Sequence, residues 1–287
     1  MTGVQAAAIT PRGKNGDLDF GAAFELVDHL CRGGVDGIFL FGPHGEYPAF
    51  SPEERARLVK LAVKRSRVPV LAGVGAATLD VSLDLAREAR DADAAALVVP
   101  PPHFFHYDQD DLKAYFTQFS AEAGDDPPLL LWRTDALAVE TAIDLCEGGR
   151  FSAIIDAGTE TDSLVQFATA GVPVLAGHDR AALRKGLSGV VSPAACAVPE
   201  LLVALDRAIN AGHEEDARAH HLTLQEFVRW AARFPEPAAV KLATGLRGLK
   251  TGPLAVPLSP QKQKDLDAFR DWFQNWLPAV RRAPVRA

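Results

Sequence analysis

Short apolar runs recur along the chain, each followed by an amphipathic stretch. The runs are Val4–Ile9, Gly37–Phe41, Pro69–Gly73, Ala95–Val99, Leu129–Trp132, Ser152–Ile155, Pro173–Ala176 and Gly189–Val191. They are continuous rather than alternating, the pattern of parallel strands covered on both faces. The stretches between them carry helix-start signals. Ser51-Pro52-Glu53-Glu54 reads as a capping box with proline at the first helical position, and Leu58, Leu61 and Ala62 then recur on one face. Thr78 and Asp108 are N-cap candidates for helices carrying Leu79, Leu83 and Ala86, and Leu112, Tyr115 and Phe116. Eight strand–helix units within residues 1–195 predict an α/β fold, a (β/α)8 TIM barrel. The unit after the seventh run is short, so the wall is expected to be thin there. From Pro199 onward the pattern is helical without strands, with candidates at Glu200–Ala211, Glu214–Phe234 and Pro260–Leu277. No Gly/Ser-rich linker precedes them, so residues 196–287 are expected to form a C-terminal α-helical extension packed on the barrel. The competing fold is an open doubly wound sheet, but no GxGxxG turn follows the first run.

Composition narrows the class. The chain has 287 residues, 48% of them hydrophobic and 23% charged, with a net charge of −7. That describes an ordinary globular protein, and its acidic balance argues against a nucleic-acid-binding surface. No apolar run approaches the ~20 residues of a membrane helix, so no membrane association is expected. Met1–Ile9 lacks a basic segment leading into an apolar core, so no signal peptide is expected and a cytoplasmic location is. Three widely spaced cysteines, Cys31, Cys146 and Cys196, with no CxxC pair, exclude a disulfide scaffold or a cysteine-based zinc knuckle.

In such a barrel the chemistry belongs to the loops that follow the strands. The polar candidates there are Gly42-Pro43-His44-Gly45-Glu46 after the second run, His103 and His106 after the fourth, and Arg133 with Thr134 after the fifth. Asp156 and Thr159 follow the sixth run, and His178 and Asp179 the seventh. In the first of these, Gly42 and Gly45 let the backbone turn sharply and approach a ligand; the alternative is a plain turn with a solvated His44 and Glu46. Arg133 suits a carboxylate or phosphate, or an ordinary salt bridge. His178 and Asp179 read as a base and its orienting partner, although adjacent residues rarely face each other. His44, Glu46, Asp156, His178 and Asp179 are oxygen and nitrogen donors suited to a divalent ion, but their spacing matches no metal signature, so neither metal nor cofactor is expected. His213, His220 and His221 read as a solvated helix face, and the run His103–Tyr107 as a lid, an oligomer contact or packing.

These residues resemble the dihydrodipicolinate synthase / N-acetylneuraminate lyase family of pyruvate-dependent aldolases. Thr10-Pro11 followed by Asn15-Gly16-Asp17-Leu18-Asp19 is similar to the family's opening, and Gly34-Val35-Asp36-Gly37 through Gly42–Glu46 and Ser51–Glu54 to its GTTGE region. Pro69–Gly75, Ala239-Val240-Lys241 and Gly252-Pro253-Leu254 through Pro257-Leu258-Ser259 match further family stretches. The resemblance implies a (β/α)8 barrel with a helical extension, assembled as a homodimer or homotetramer, and a small oxo-acid or carboxylate as ligand. It also implies a lysine at the end of the sixth strand that forms an imine with pyruvate, and a proton-handling tyrosine at the end of the fifth.

The chain departs from that pattern where the chemistry is done. Ile155 stands at the lysine position, and no lysine lies between Lys113 and Lys185. Trp132 stands at the tyrosine position, Phe104 at that of the second tyrosine, and Pro43 and His44 replace two threonines. The expected function is therefore a divergent lyase or aldolase-type enzyme that does not form an imine at position 155. In it His44, His178 and Asp179 would be catalytic, with Gly42, Gly45, Glu46, Arg133 and Asp156 binding substrate. Two alternatives stay open: a non-catalytic member binding a metabolite or a protein, and a metal-dependent lyase or hydrolase using His44, Glu46, Asp156 and His178. Lys185 is a candidate relocated nucleophile; Lys241 reads as structural.

Overall fold

Each apolar run forms a strand, and the eight strands pair in parallel, in chain order, into a closed barrel. A computed structural model describes residues 1–102, 105–160, 162–182 and 186–282, with side chains to residue 280. His103, Phe104 and Lys185 lie outside the described residues. The strands are β1 (Gly3–Ala7), β2 (Gly37–Leu40), β3 (Val70–Gly73), β4 (Ala96–Val99), β5 (Leu129–Arg133), β6 (Ala153–Asp156), β7 (Val174–Ala176) and β8 (Gly189–Ser192). The ring closes where β1 pairs with β8, Val4 opposite Val190.

The helices are α1 (Phe20–Gly33), α2 (Pro52–Arg65), α3 (Leu79–Asp91), α4 (Gln109–Ala123), α5 (Val139–Glu147) and α6 (Ser163–Thr169), then α7 (Pro199–Asn210), α8 (Glu214–Ala231), α9 (Ala238–Leu246) and α10 (Pro260–Arg282). Their starts follow local chemistry. Ser51 and Glu54 make the full reciprocal capping box of α2, and Thr78 and Asp108 accept from Val81 and Asp111 to start α3 and α4. The expected helix Glu214–Phe234 ends at Ala231, and α9 is an element that the apolar pattern alone did not mark. Pro235 and Pro237 separate the two, since neither can donate a helical hydrogen bond.

After β7, where the thin wall was expected, the described residues form one 3-10 turn, Asp179–Ala181, packed against α8. Helix α7 lies against β1 and α1 and takes the place of the barrel's eighth helix; α8 and α10 pack beyond it. Among the described residues no helix is long and apolar enough to cross a membrane.

Alternation along the strands divides the buried side chains into two sets. Ile38, Leu40, Val70, Leu97, Leu129, Leu131 and Ile154 point outward, between sheet and helices. Ala7, Phe39, Leu71, Ala96, Val98, Leu130, Trp132, Ala153, Ile155, Leu175 and Val191 form a separate apolar cluster in the lumen. Phe39 and Trp132 are its largest members, with ring centroids 5.6 Å apart, and Ile155 is fully buried beside them. A Cβ at Gly42 would come within 2.4 Å of the Phe39 ring, so that position has to be glycine for the ring to lie where it does. Phe39→Ala or Trp132→Ala is expected to destabilise the fold by about 3–5 kcal/mol, read as a lower urea midpoint at unchanged slope.

Candidate active site

The loop after β2 is bent by two non-glycine residues in the left-handed region, Phe41 at φ 58° and Glu46 at φ 50°. Bulky residues persist there only where the surroundings impose the conformation. Two buried cations supply that constraint. Arg55, from α2, donates to the carbonyls of Gly73 and Gly75 at 2.8 Å each and lies over the rings of Phe41 and Tyr47. Burial lowers its pKa to about 10, opposed by Tyr47. Lys241, from α9, donates to Glu46 Oε2 at 2.5 Å and to the Pro253 carbonyl, while Glu46 Oε1 accepts from the Ala255 backbone at 2.8 Å. Burial pushes the Lys241 ammonium down and Glu46 opposes that shift. Glu46 thus ties the β2 loop to the C-terminal helices, and both its oxygens have partners.

Between these anchors a 3-10 turn, Pro43–Gly45, turns His44 inward. Its Nε2 lies 3.0 Å from Oε2 of Glu236, a residue of the link between α8 and α9. Its Nδ1 is buried and has no partner. The hydrogen bond from His44 is the main reason the Glu236 carboxyl is held below its ordinary range; burial opposes it, and the charges of His44, Arg180 and His178 add to it.

The loop after β7 brings in His178 and Asp179. Asp179 is buried; Oδ2 accepts from the Ala194 backbone at 3.1 Å, and the Ser192 hydroxyl donates to the same carboxyl. Its Oδ1 has no partner, nor has Nδ1 of His178. Burial raises the Asp179 pKa, while the Ser192 and Ala194 hydrogen bonds and the charges of His44 and His178 pull the other way. His44 and His178 therefore act on both Asp179 and Glu236 at the C-terminal mouth of the barrel. Three buried polar atoms among them, two imidazole Nδ1 and one carboxyl oxygen, are unpaired. Natively buried polar atoms are nearly always paired; of those left unpaired among the described residues, these three belong to groups close enough to act on one another.

Arg133 and Asp156 are placed elsewhere. They are register partners on β5 and β6 and follow the lumen residues Trp132 and Ile155, so they point to the outer side of the sheet. Each nitrogen of Arg133 has an internal partner: Nε the Leu137 carbonyl at 2.9 Å, Nη1 Asp156 at 3.1 Å and Nη2 Glu160 at 3.0 Å. Asp156 also accepts from the Gly158 backbone and Ser163. Of the two roles open to Arg133 in the sequence, the salt bridge is the one it adopts here. Gly42 and Gly45 line the β2 turn, where a Cβ on Gly45 would lie 3.2 Å from the Ala8 carbonyl and the Thr10 hydroxyl. Among the described residues no group of three or more His, Cys, Asp or Glu is arranged to hold a metal ion. Glu46 is held by Lys241 and Asp156 by Arg133.

Sequence reasoning missed Glu236, Arg55 and Ser192. Pro235 and Pro237 fix the backbone on both sides of Glu236, but nothing in the sequence pointed to its contact with His44.

Residues 1–275 match the model of the dihydrodipicolinate synthetase family. The chain belongs to that family. It is 31% identical over 276 residues to a 4-hydroxy-tetrahydrodipicolinate synthase of Bacillus velezensis, covering 91% of this chain and 94% of that protein. The synthase of Azoarcus sp. is 32% identical over an alignment spanning both chains in full. Among solved structures, the 4-hydroxy-tetrahydrodipicolinate synthase of Methylacidiphilum fumariolicum SolV superposes with a TM-score of 0.89 at 28% identity, covering 99% of each chain. YagE of E. coli K12, solved in complex with pyruvate, gives 0.86 at 26% identity over 96% of this chain and 98% of that one. Within this dihydrodipicolinate synthetase family member, the ends of β5 and β6 present an indole and a sec-butyl group to the lumen, not groups that ionise.

Two measurements probe the site's energetics. Lys241→Met leaves the Glu46 carboxylate buried without its cation and is expected to cost about 3 kcal/mol in a denaturant titration. Asp179 has a pKa raised from its ordinary 3.8. Between the two values the native state keeps a proton that the unfolded chain has released, so stability falls as pH rises through that window. Asp179→Asn removes this loss, and the variant is expected to gain on the wild type as denaturation is repeated from about pH 4 to pH 8.

Proposed function

We propose that this protein is a lyase-type enzyme acting on a small oxo-acid or related carboxylate by proton transfer rather than through an imine at position 155. The observation that carries this reading is the set of unpaired buried atoms at the barrel mouth, His44 Nδ1, His178 Nδ1 and Asp179 Oδ1. Histidine exchanges protons near neutrality without special tuning, and a buried carboxylic acid with a raised pKa can donate to a developing oxyanion. Arg180, exposed at the same mouth and close enough to act on Glu236, supplies the positive charge for the ligand's carboxylate that Arg133 does not. Gly42 and Gly45 let the β2 turn fold closely enough to present His44. Assembly into a homodimer or homotetramer in the cytoplasm belongs to the same proposal.

A second reading is favoured by a different observation. Trp132, Phe39 and Ile155 pack the lumen below the mouth, as suits a member that binds a metabolite without transforming it.

The test is proton exchange. Pyruvate and a panel of 2-oxo acids are incubated with the protein in D2O, and loss of the proton next to the carbonyl is followed by NMR. Borohydride trapping read by intact mass runs in parallel. Exchange without a reduced adduct is expected, lowered about 100-fold or more by His44→Gln. A reduced adduct would overturn the reading and make Lys185 the first residue to map. Ligand-induced thermal shifts without exchange would establish the binding-only reading instead.

A further inference from the structure

The proposed chemistry needs one nitrogen of His44 to carry a free lone pair, and the barrel alone does not decide which. We infer that Glu236 is the positioning residue of His44, fixing the imidazole as the Nε2–H tautomer so that Nδ1 is the base. This rests on the reading above but is tested apart from it. An ionised carboxylate only accepts, so the contact at 3.0 Å between Glu236 Oε2 and His44 Nε2 requires the proton on Nε2. A neutral imidazole with that proton has its lone pair on Nδ1, which is the atom that is buried and unpaired.

A purely architectural role fits the pair poorly. The His44 side chain is 7% exposed but that of Glu236 is 69% exposed, so the pair is open to water on one side and adds little to stability. The neighbouring structural pair, Lys241 with Glu46, is by contrast buried on both sides. The other charged or titratable groups acting on Glu236 are His178 and Arg180, and Asp179 senses both histidines. In the step this arrangement serves, Nδ1 takes a proton from a C–H or O–H of the ligand and the electron pair stays on the ligand. Nε2–H goes on donating to Glu236, which remains ionised and balances the new imidazolium charge. Glu236 reaches the site from outside the barrel, so the helical extension supplies part of the proton-handling apparatus.

The test uses the full-length protein labelled with ¹⁵N at histidine, the His44 signals being assigned by their loss in His44→Gln. In the wild type the neutral ring is expected with its proton on Nε2. In Glu236→Ala it is expected to become a mixture of tautomers, the rate of pyruvate deuterium exchange falling about tenfold or more at an unchanged half-saturating concentration. Because the position is exposed, added formate should restore both tautomer and rate in Glu236→Ala. A proton on Nδ1 in the wild type, or an unchanged tautomer in Glu236→Ala, overturns the inference. Exchange that disappears in His44→Gln but persists in Glu236→Ala overturns it while leaving the proposed function standing. If the wild type exchanges no 2-oxo acid, the proposed function fails and the tautomer result still decides the role of Glu236.

Discussion

Closing eight short parallel strands into a ring sends every second side chain into one shared space, and that space has to be filled for the ring to hold. Here the filling is uneven. Phe39 and Trp132 take much of the room near the mouth, with Ile155 against them. At the other end Gln5 lies beside Gly37, where a Cβ would come within 1.9 Å of the amide oxygen, and Gly189 abuts the backbone of Gly3. At both levels, then, close packing in the ring is made possible by a glycine: Gly42 under Phe39, Gly37 beside Gln5 and Gly189 against Gly3. The same packing lifts the polar chemistry out of the lumen and onto the loops after β2 and β7.

Those loops are not left to themselves. The turn that presents His44 has left-handed residues on both sides, and it is pinned by a guanidinium from α2 and by an ammonium from α9. The two cations differ in kind. Arg55 is matched by carbonyls and aromatic faces, and burial lowers its pKa; Lys241 is matched by Glu46. A planar, weakly hydrated guanidinium tolerates the first setting, whereas a compact ammonium needs the second.

Much of the fold was legible in the sequence because it follows from local rules: eight apolar runs, Ser51, Thr78 and Asp108 as caps, and a short unit after the seventh run. Helix α9 was not, since its nine residues between prolines and a Gly-containing turn give little periodicity to read. In the candidate site, His44, His178 and Asp179, which the structure brings together at the barrel mouth, were conspicuous in the sequence as polar residues after barrel strands. Arg133 and Asp156 were equally conspicuous, but period-two alternation counted from Trp132 and Ile155 turns them to the opposite side. Glu236 was invisible for another reason: it is close to His44 only through the path of the chain between α8 and α9, and no spacing rule encodes a contact across 192 residues.

The tether from Glu46 to Lys241 and Ala255 has a consequence for how such a protein diverges. With the β2 turn anchored to the extension, a new side chain can be tried at position 44 or 236 without shifting a strand register or opening the ring. Evolution can then exchange one polar side chain for another at the rim, while the staves of the barrel go on being inherited unchanged.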